Sequence, residues 1–145
     1  MTSGLGTRDQ LLDDLSQAIE PDRSPGVLVV FRIDRFAAFV SEQGLEASEA
    51  FVGTAADLLR CAVGPAARLY RPRRHELCAL VPSPPPTITP ALAGAVLAVD
   101  EAGEEYGVTV GLGIATVPGG ADHPVRVLQR ADLCLGRLQG QPAAA

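Results

Sequence analysis

Apolar positions along the chain alternate between a three-to-four-residue spacing and short continuous or every-second-residue runs, and these switches mark out its elements. Leu11, Leu12, Leu15 and Ile19 recur at helical spacing behind Thr7-Arg8-Asp9-Gln10, a T-x-x-Q capping box, and predict a first amphipathic helix ending near Pro21. After a loop over 22–26 comes the run Val27-Leu28-Val29-Val30-Phe31, apolar on both faces and so a central strand. Phe36, Phe39 and Val40 return to helical spacing, Gly44 stops or kinks that helix, and Phe51, Ala55, Leu58, Leu59 and Ala62 line the face of a second one ending at Gly64-Pro65. Residues 67–70 and 77–81 read as two strands. Between them Arg71-Pro72-Arg73-Arg74-His75 reads as a turn, because proline cannot donate to a ladder, so the pair is a hairpin.

A proline-rich loop over 82–87 leads to Thr89, the expected N-cap, with Pro90 as first helical residue. Leu92, Val96, Leu97 and Val99 form the inward face of that helix, and Glu101, Glu104 and Glu105 lie outside. Beyond Gly107, Val108, Val110, Leu112 and Ile114 alternate with Thr109, Gly111 and Gly113, a strand with one large and one small face. Pro118-Gly119-Gly120 is a turn, and Pro124 opens a last helix with Val127, Leu128, Ala131, Leu135 and Leu138 inward, closed by Gly140. The expectation is one domain over 1–140 with a frayed tail over 141–145. It is an α/β fold of the palm type, a mixed central sheet covered by helices, with the first strand in the middle.

Composition narrows the chemistry. With 145 residues, 47% hydrophobic and 20% charged, the chain can bury a core without disulfides or metals. A net charge of −5 disfavours a general nucleic-acid binder. All 12 basic residues are arginine, which excludes a lysine Schiff base or a phosphate-binding P-loop lysine. Cys61, Cys78 and Cys134 are scattered and only His75 and His123 accompany them, so no zinc spacing exists and reduced thiols are expected. No stretch has the form of a signal peptide or the length of a membrane span, and the expected setting is cytoplasmic, without membrane insertion.

The order of elements, with a hairpin at its centre, resembles the GGDEF domain of diguanylate cyclases. Residues 2–8 look like an eroded D-x-L-T-G-L-x-N-R; Phe31-Arg32-Ile33-Asp34-Arg35-Phe36 is similar to D-I-D-x-F; Gly44 sits where N-D-x-x-G-H keeps its glycine. Residues 71–82 resemble the R-Y-G-G-D-E-F hairpin through its closing L-P, residues 109–115 resemble T-V-S-I-G-I-A, and Ala131-Asp132 with Leu135 and Gly140 resembles the terminal A-D-x-A-L-Y-x-A-K-x-x-G. The matches together span Thr2 to Gly140.

The resemblance implies an enzyme that would join two GTP molecules into cyclic di-GMP, each 3′-hydroxyl attacking the other's α-phosphate with Mg²⁺ held by carboxylates. At the implied positions this chain departs from the pattern. Arg32 stands at the first metal position, followed by Ile33 and the retained Asp34. The signature reads Arg73-Arg74-His75-Glu76-Leu77, so both glycines are arginines and His75 stands at the second metal position. The guanine-recognising positions fall on Val40 and Glu49, the lysine of the last helix on Gln139, and the inhibitory R-x-x-D site on residues 64–67, which read Gly-Pro-Ala-Ala. The expectation is a catalytically inactive domain with no cofactor and no metal. It would serve as a signalling or regulatory protein-interaction module, self-associating by resemblance or meeting another signalling protein.

Two clusters admit competing readings. Asp34, His75 and Glu76 could form an acid/base or metal cluster. The preferred reading is solvated strand ends, because Arg32, Arg73 and Arg74 neutralise the carboxylates. Arg68, Arg71, Arg73, Arg74 and His75 could form an anion site for a nucleotide phosphate or an acidic partner. Equally they could be a solvated hairpin with ion pairs to Glu42, Glu46 or Glu49. Because side chains alternate on a strand, some of these arginines must face opposite sides of the sheet.

Overall fold

The computed structural model describes residues 4–20, 25–117 and 123–133. The elements are α1 (Arg8–Ala18), β1 (Gly26–Ile33), α2 (Phe36–Gln43), α3 (Leu45–Val63), β2 (Arg68–Arg73), β3 (Glu76–Pro82), α4 (Ile88–Gly103), a short 3₁₀ turn (Glu104–Tyr106), β4 (Val110–Val117) and α5 (Pro124–Leu133). The expected loop at 22–24, the turn at 118–120 and the positions Cys134, Leu135, Leu138, Gln139 and Gly140 lie outside the described residues.

The sheet runs β2-β3-β1-β4 with every neighbouring pair antiparallel. β1 is interior, as its two-sided apolar run requires, and its neighbours register Arg32 opposite both Glu76 and Gly111. The two faces of β1 feed two cores. Val29, Phe31 and Ile33 pack with α2, α3 and α4 around Phe39, Leu59 and Leu92. Leu28 and Val30 pack with α1 and α5 around Leu11, Leu15, Tyr70 and Val127. The result is an α/β/α sandwich in which a strand's alternation sends successive side chains into different cores.

α1 begins as its capping box predicts: Gln10 N donates to Thr7 Oγ1 at 3.2 Å and Thr7 N donates to Gln10 Oε1 at 2.8 Å. Just before it, Gly6 forms a parallel bridge to edge strand β2, donating to the Leu69 carbonyl at 3.0 Å and accepting from Arg71 N at 2.8 Å. A Cβ at Gly6 would lie 2.5 Å from Tyr70 Cδ2, so the close approach requires glycine.

Four expectations are corrected. The hairpin turn is Arg74-His75, and Arg71-Pro72-Arg73 belong to β2. β2 is an edge strand whose register shifts between Tyr70 and Arg73, a setting in which a proline lacking an N–H is tolerated. The N-cap of α4 is Thr87, without a side-chain cap bond, and Pro90 falls in the first turn, where N–H groups have no intrahelical partner in any case. Leu97 points outward and is 70% exposed. Val108 lies before β4: it is buried, and its N–H donates to the Gly103 carbonyl to close α4.

Candidate functional site

The C-terminal end of β1 is pinned on both sides. Ile33 N donates to the His75 carbonyl in the hairpin turn at 2.8 Å, and Asp34 N donates to the Thr109 carbonyl ahead of β4, also at 2.8 Å. The chain then turns through Arg35, held at φ 61°, ψ 29°, which starts α2 without a side-chain cap. These constraints open a cleft of about 660 Å³ between the end of β1, the start of α2 and the hairpin turn. Arg32, Ile33, Asp34, Val40, Arg74 and His75, six positions singled out in the sequence, all line it. Arg35, Phe36 and Ala37 line it too and were not singled out. The structure therefore brings together residues some forty positions apart, because β1 and the β2–β3 hairpin are adjacent in the sheet.

The charged side chains fall into separate arrangements. Arg32 reaches two carboxylates, Glu76 at 3.7 Å and Asp132 on α5 at 3.6 Å. Glu76 is buried, at 4% exposure, which corrects the expectation of a solvated strand end: its place opposite Arg32 on the neighbouring strand turns it into the interior. Asp34 is exposed and accepts from Thr109 Oγ1 at 3.3 Å. A guanidinium therefore lies between the Glu76 and Asp132 carboxylates. That arrangement does not fit a divalent cation, which needs those oxygens for itself. Among the described residues no group of three histidines, cysteines, aspartates or glutamates could hold a metal ion.

The arginine run divides across the sheet, as strand alternation demands. Arg68 turns to the α1 side and donates to Asp14 Oδ2 at 2.8 Å, where the Tyr70 hydroxyl also donates at 2.6 Å. Burial, helped by Asp14, pushes the Tyr70 hydroxyl well above its ordinary pKa. Arg71 turns to the α3 side and grips Glu49 with both Nη atoms at 2.7 Å, while its Nε and Nη2 donate to the Arg74 carbonyl at 3.1 and 2.7 Å. Arg71's hydrogen bonds hold the Glu49 carboxyl below its usual range. Of the candidate partners Glu42, Glu46 and Glu49, Arg71 takes Glu49 as its bidentate partner. Arg73 is exposed at the end of β2, and Arg74 is exposed with its guanidinium 5.8 Å from the centre of the Phe36 ring. Asp14, which receives Arg68, belongs to no motif, and Asp132, which receives Arg32, stood only in the terminal A-D match with nothing to pair it with an arginine; each lies more than fifty residues away in sequence from its arginine.

No helix among the described residues is long and apolar enough to cross a membrane. Comparison with curated proteins returned no match. Solved structures match in fold. The FimX GGDEF domain from Pseudomonas aeruginosa is 22% identical, with a TM-score of 0.75 over 91% of this chain and 87% of that one. The GGDEF domain of DgcB from Caulobacter crescentus, in complex with c-di-GMP, is 19% identical, with a TM-score of 0.70 over 97% and 84%. The diguanylate cyclase SiaD in complex with its activator SiaC, from Pseudomonas aeruginosa, is 19% identical with a TM-score of 0.75; this chain spans 97% of its own length but 57% of that protein's. The family model described as diguanylate cyclase, GGDEF domain, matches residues 1–143, and with nearly the whole length covered, this chain belongs to the GGDEF domain family.

Proposed function

We propose that this chain is a non-catalytic GGDEF domain, a regulatory module in cyclic di-GMP-related signalling that binds a partner rather than turning over GTP. The observation that carries the reading is the fate of Glu76 and Glu49, two acidic groups at positions the family pattern implies. Glu76 faces the Arg32 guanidinium across the sheet, and Glu49 is held in a bidentate grip by Arg71. Phosphoryl transfer from GTP needs carboxylates open to Mg²⁺ and polar groups open to the base. Here each of these carboxylates already faces an internal cation, and Val40, at the other implied base-reading position, has no hydrogen-bonding group. The hairpin reads Arg73-Arg74-His75-Glu76-Leu77, with two long side chains where the family pattern has glycines. The SiaD–SiaC complex is an instance of a diguanylate cyclase with a protein partner, which supports a protein-interaction role.

Incubation of the full chain with GTP and Mg²⁺, followed by chromatography, tests the reading: GTP is expected to remain intact, and formation of cyclic di-GMP refutes it. Light scattering tests self-association, with a species of twice the chain mass expected for a homodimer.

A further inference from the structure

We propose that the outward face of α4 is a self-association surface, on which a second copy of this chain seats its own α4 antiparallel. The inference rests on the self-association part of the proposed function and names its interface. From Ile88 to Val99 the helix carries no charged residue. Its inner face takes Leu92, Ala95, Val96 and Val99, which leaves Pro90, Gly94 and Leu97 in solvent with Ala93 half-buried beside them. Leu97 is 70% exposed, more than any other large apolar side chain among the described residues. A lone surface leucine needs no explanation, but the setting of this one fits it to a copy of itself.

Pro90, Gly94, Leu97 and Glu101 follow at spacings of four, three and four, so they lie along one line of the helix surface. Gly94 is a gap in that line: a Cβ there would meet nothing within 4 Å. The midpoint between Gly94 and Leu97 is also the midpoint of α4, Ile88–Gly103. A two-fold axis through that point sets each Leu97 over the other copy's Gly94, and each Pro90 against the other copy's Glu101. The leucine fills the space that the missing side chain leaves, and the two helices close to an ordinary packing distance of about 8–10 Å.

Charge selects the antiparallel sense. The first turn of α4 has no acidic residue, and Thr87 makes no side-chain cap bond, so that end keeps the positive sign of a helix N-terminus. The other end carries exposed Glu101, Glu104 and Glu105, beside carbonyl groups of the same sign. Carboxylates are poorly placed at the C-terminal end of their own helix and well placed at the N-terminal end of a neighbour's. Antiparallel pairing supplies that neighbour at both ends, whereas parallel pairing stacks acid on acid. A helix of 16 residues gives about 24 Å of contact. An interface of that extent is a weak one, with a dissociation constant on the order of 100 µM, and the dilute chain is monomeric.

Sedimentation equilibrium of the full chain from about 5 to about 500 µM is the experiment, with a monomer–dimer equilibrium expected. Leu97→Ser is expected to raise the dissociation constant about tenfold or more, while Leu45→Ser, the same change at the exposed start of α3, leaves it unaltered. Gly94→Leu separates a fitted surface from a merely sticky one. It adds apolar area, which strengthens non-specific association, but it fills the gap that receives Leu97, and about tenfold weaker association is expected. Positions 94 and 97 are both exposed, so thermal melts of the dilute monomers verify that each variant is folded. A dimer that persists unchanged in Leu97→Ser overturns this interface and leaves the self-association reading standing. A chain that stays monomeric throughout overturns both. Stronger association of Gly94→Leu, or equal losses in Leu45→Ser and Leu97→Ser, also overturns the proposal.

Discussion

Replacing Arg71 by alanine removes a side chain that ties the hairpin turn to α3. Its guanidinium makes two 2.7 Å hydrogen bonds to Glu49 and two more, at 3.1 and 2.7 Å, to the Arg74 carbonyl. The Arg71 side chain is 14% exposed and that of Glu49 33%, so the pair lies between a surface ion pair, worth under about 1 kcal/mol, and a buried one, whose rupture costs about 3–5 kcal/mol. Bidentate geometry favours a value of about 2 kcal/mol for Arg71→Ala at pH 7. The pH dependence follows from Glu49, whose folded pKa is depressed by Arg71. A depressed carboxyl contributes stability that is fully present above its unfolded value, about 4.3, and is lost as pH falls through the folded value. The difference between wild type and Arg71→Ala is therefore full at pH 7 and shrinks below about pH 4. Urea unfolding at pH 7 and at about pH 3, with Glu49→Ala and the double variant closing a cycle, measures both parts, and the coupling between the two sites is expected to be about 1–2 kcal/mol. Additive single variants, or a destabilisation that stays constant across the pH range, refute the account.

Arg32→Ala leaves buried Glu76 without its cross-strand cation and is expected to cost about 1–2 kcal/mol, the moderate value reflecting the 3.7 Å separation and the part-exposed guanidinium; unchanged urea stability contradicts it. Two glycines of α4 should respond in opposite directions. A Cβ at Gly103 lies 2.6 Å from Val108 Cγ2 and 2.8 Å from the Val108 carbonyl oxygen, so Gly103→Ala is expected to lower stability by about 1–3 kcal/mol. Gly94 has nothing within 4 Å and is exposed, so Gly94→Ala is expected to raise stability by about 0.5–1 kcal/mol, and thermal melts that move both variants the same way would count against the packing described. In a Cys134→Ser background, a thiol reagent should label exposed Cys61 under native conditions and buried Cys78, whose pKa burial pushes up, only on unfolding; prompt labelling of both sites would contradict the buried position.

Much of the architecture was legible because its causes are local. The capping box at Thr7 and Gln10, the two-sided apolar run of β1 and the alternation of β4 each specify an element within a few residues, and each is present. Leu97 was misread because helical spacing identifies a stripe but not its width: on α4 the buried stripe takes Leu92, Ala95, Val96 and Val99, and Leu97 falls beyond it. Pro72 was misread because its exclusion from strands holds for interior ones, and the edge position of β2 follows from the strand order, not from the hairpin itself. The lining of the cleft was largely legible through family resemblance: Arg35 and Phe36 lie inside the D-I-D-x-F match without having been read as site residues, and only Ala37 belongs to no motif.

By itself, the sequence determined the elements, the central place of β1 and the family, because periodicity, caps and ordered motifs are written in neighbouring residues. It also determined that the positions implied for metal and base carry Arg32, His75 and Val40. Only the tertiary structure decided where the charges go: Arg32 to Glu76 and Asp132, Arg68 to Asp14, Arg71 to Glu49, with Arg74 left on the wall of the cleft. The reason is geometric. A strand sends successive side chains to opposite faces, and which carboxylate meets each one depends on helices that arrive from distant parts of the chain.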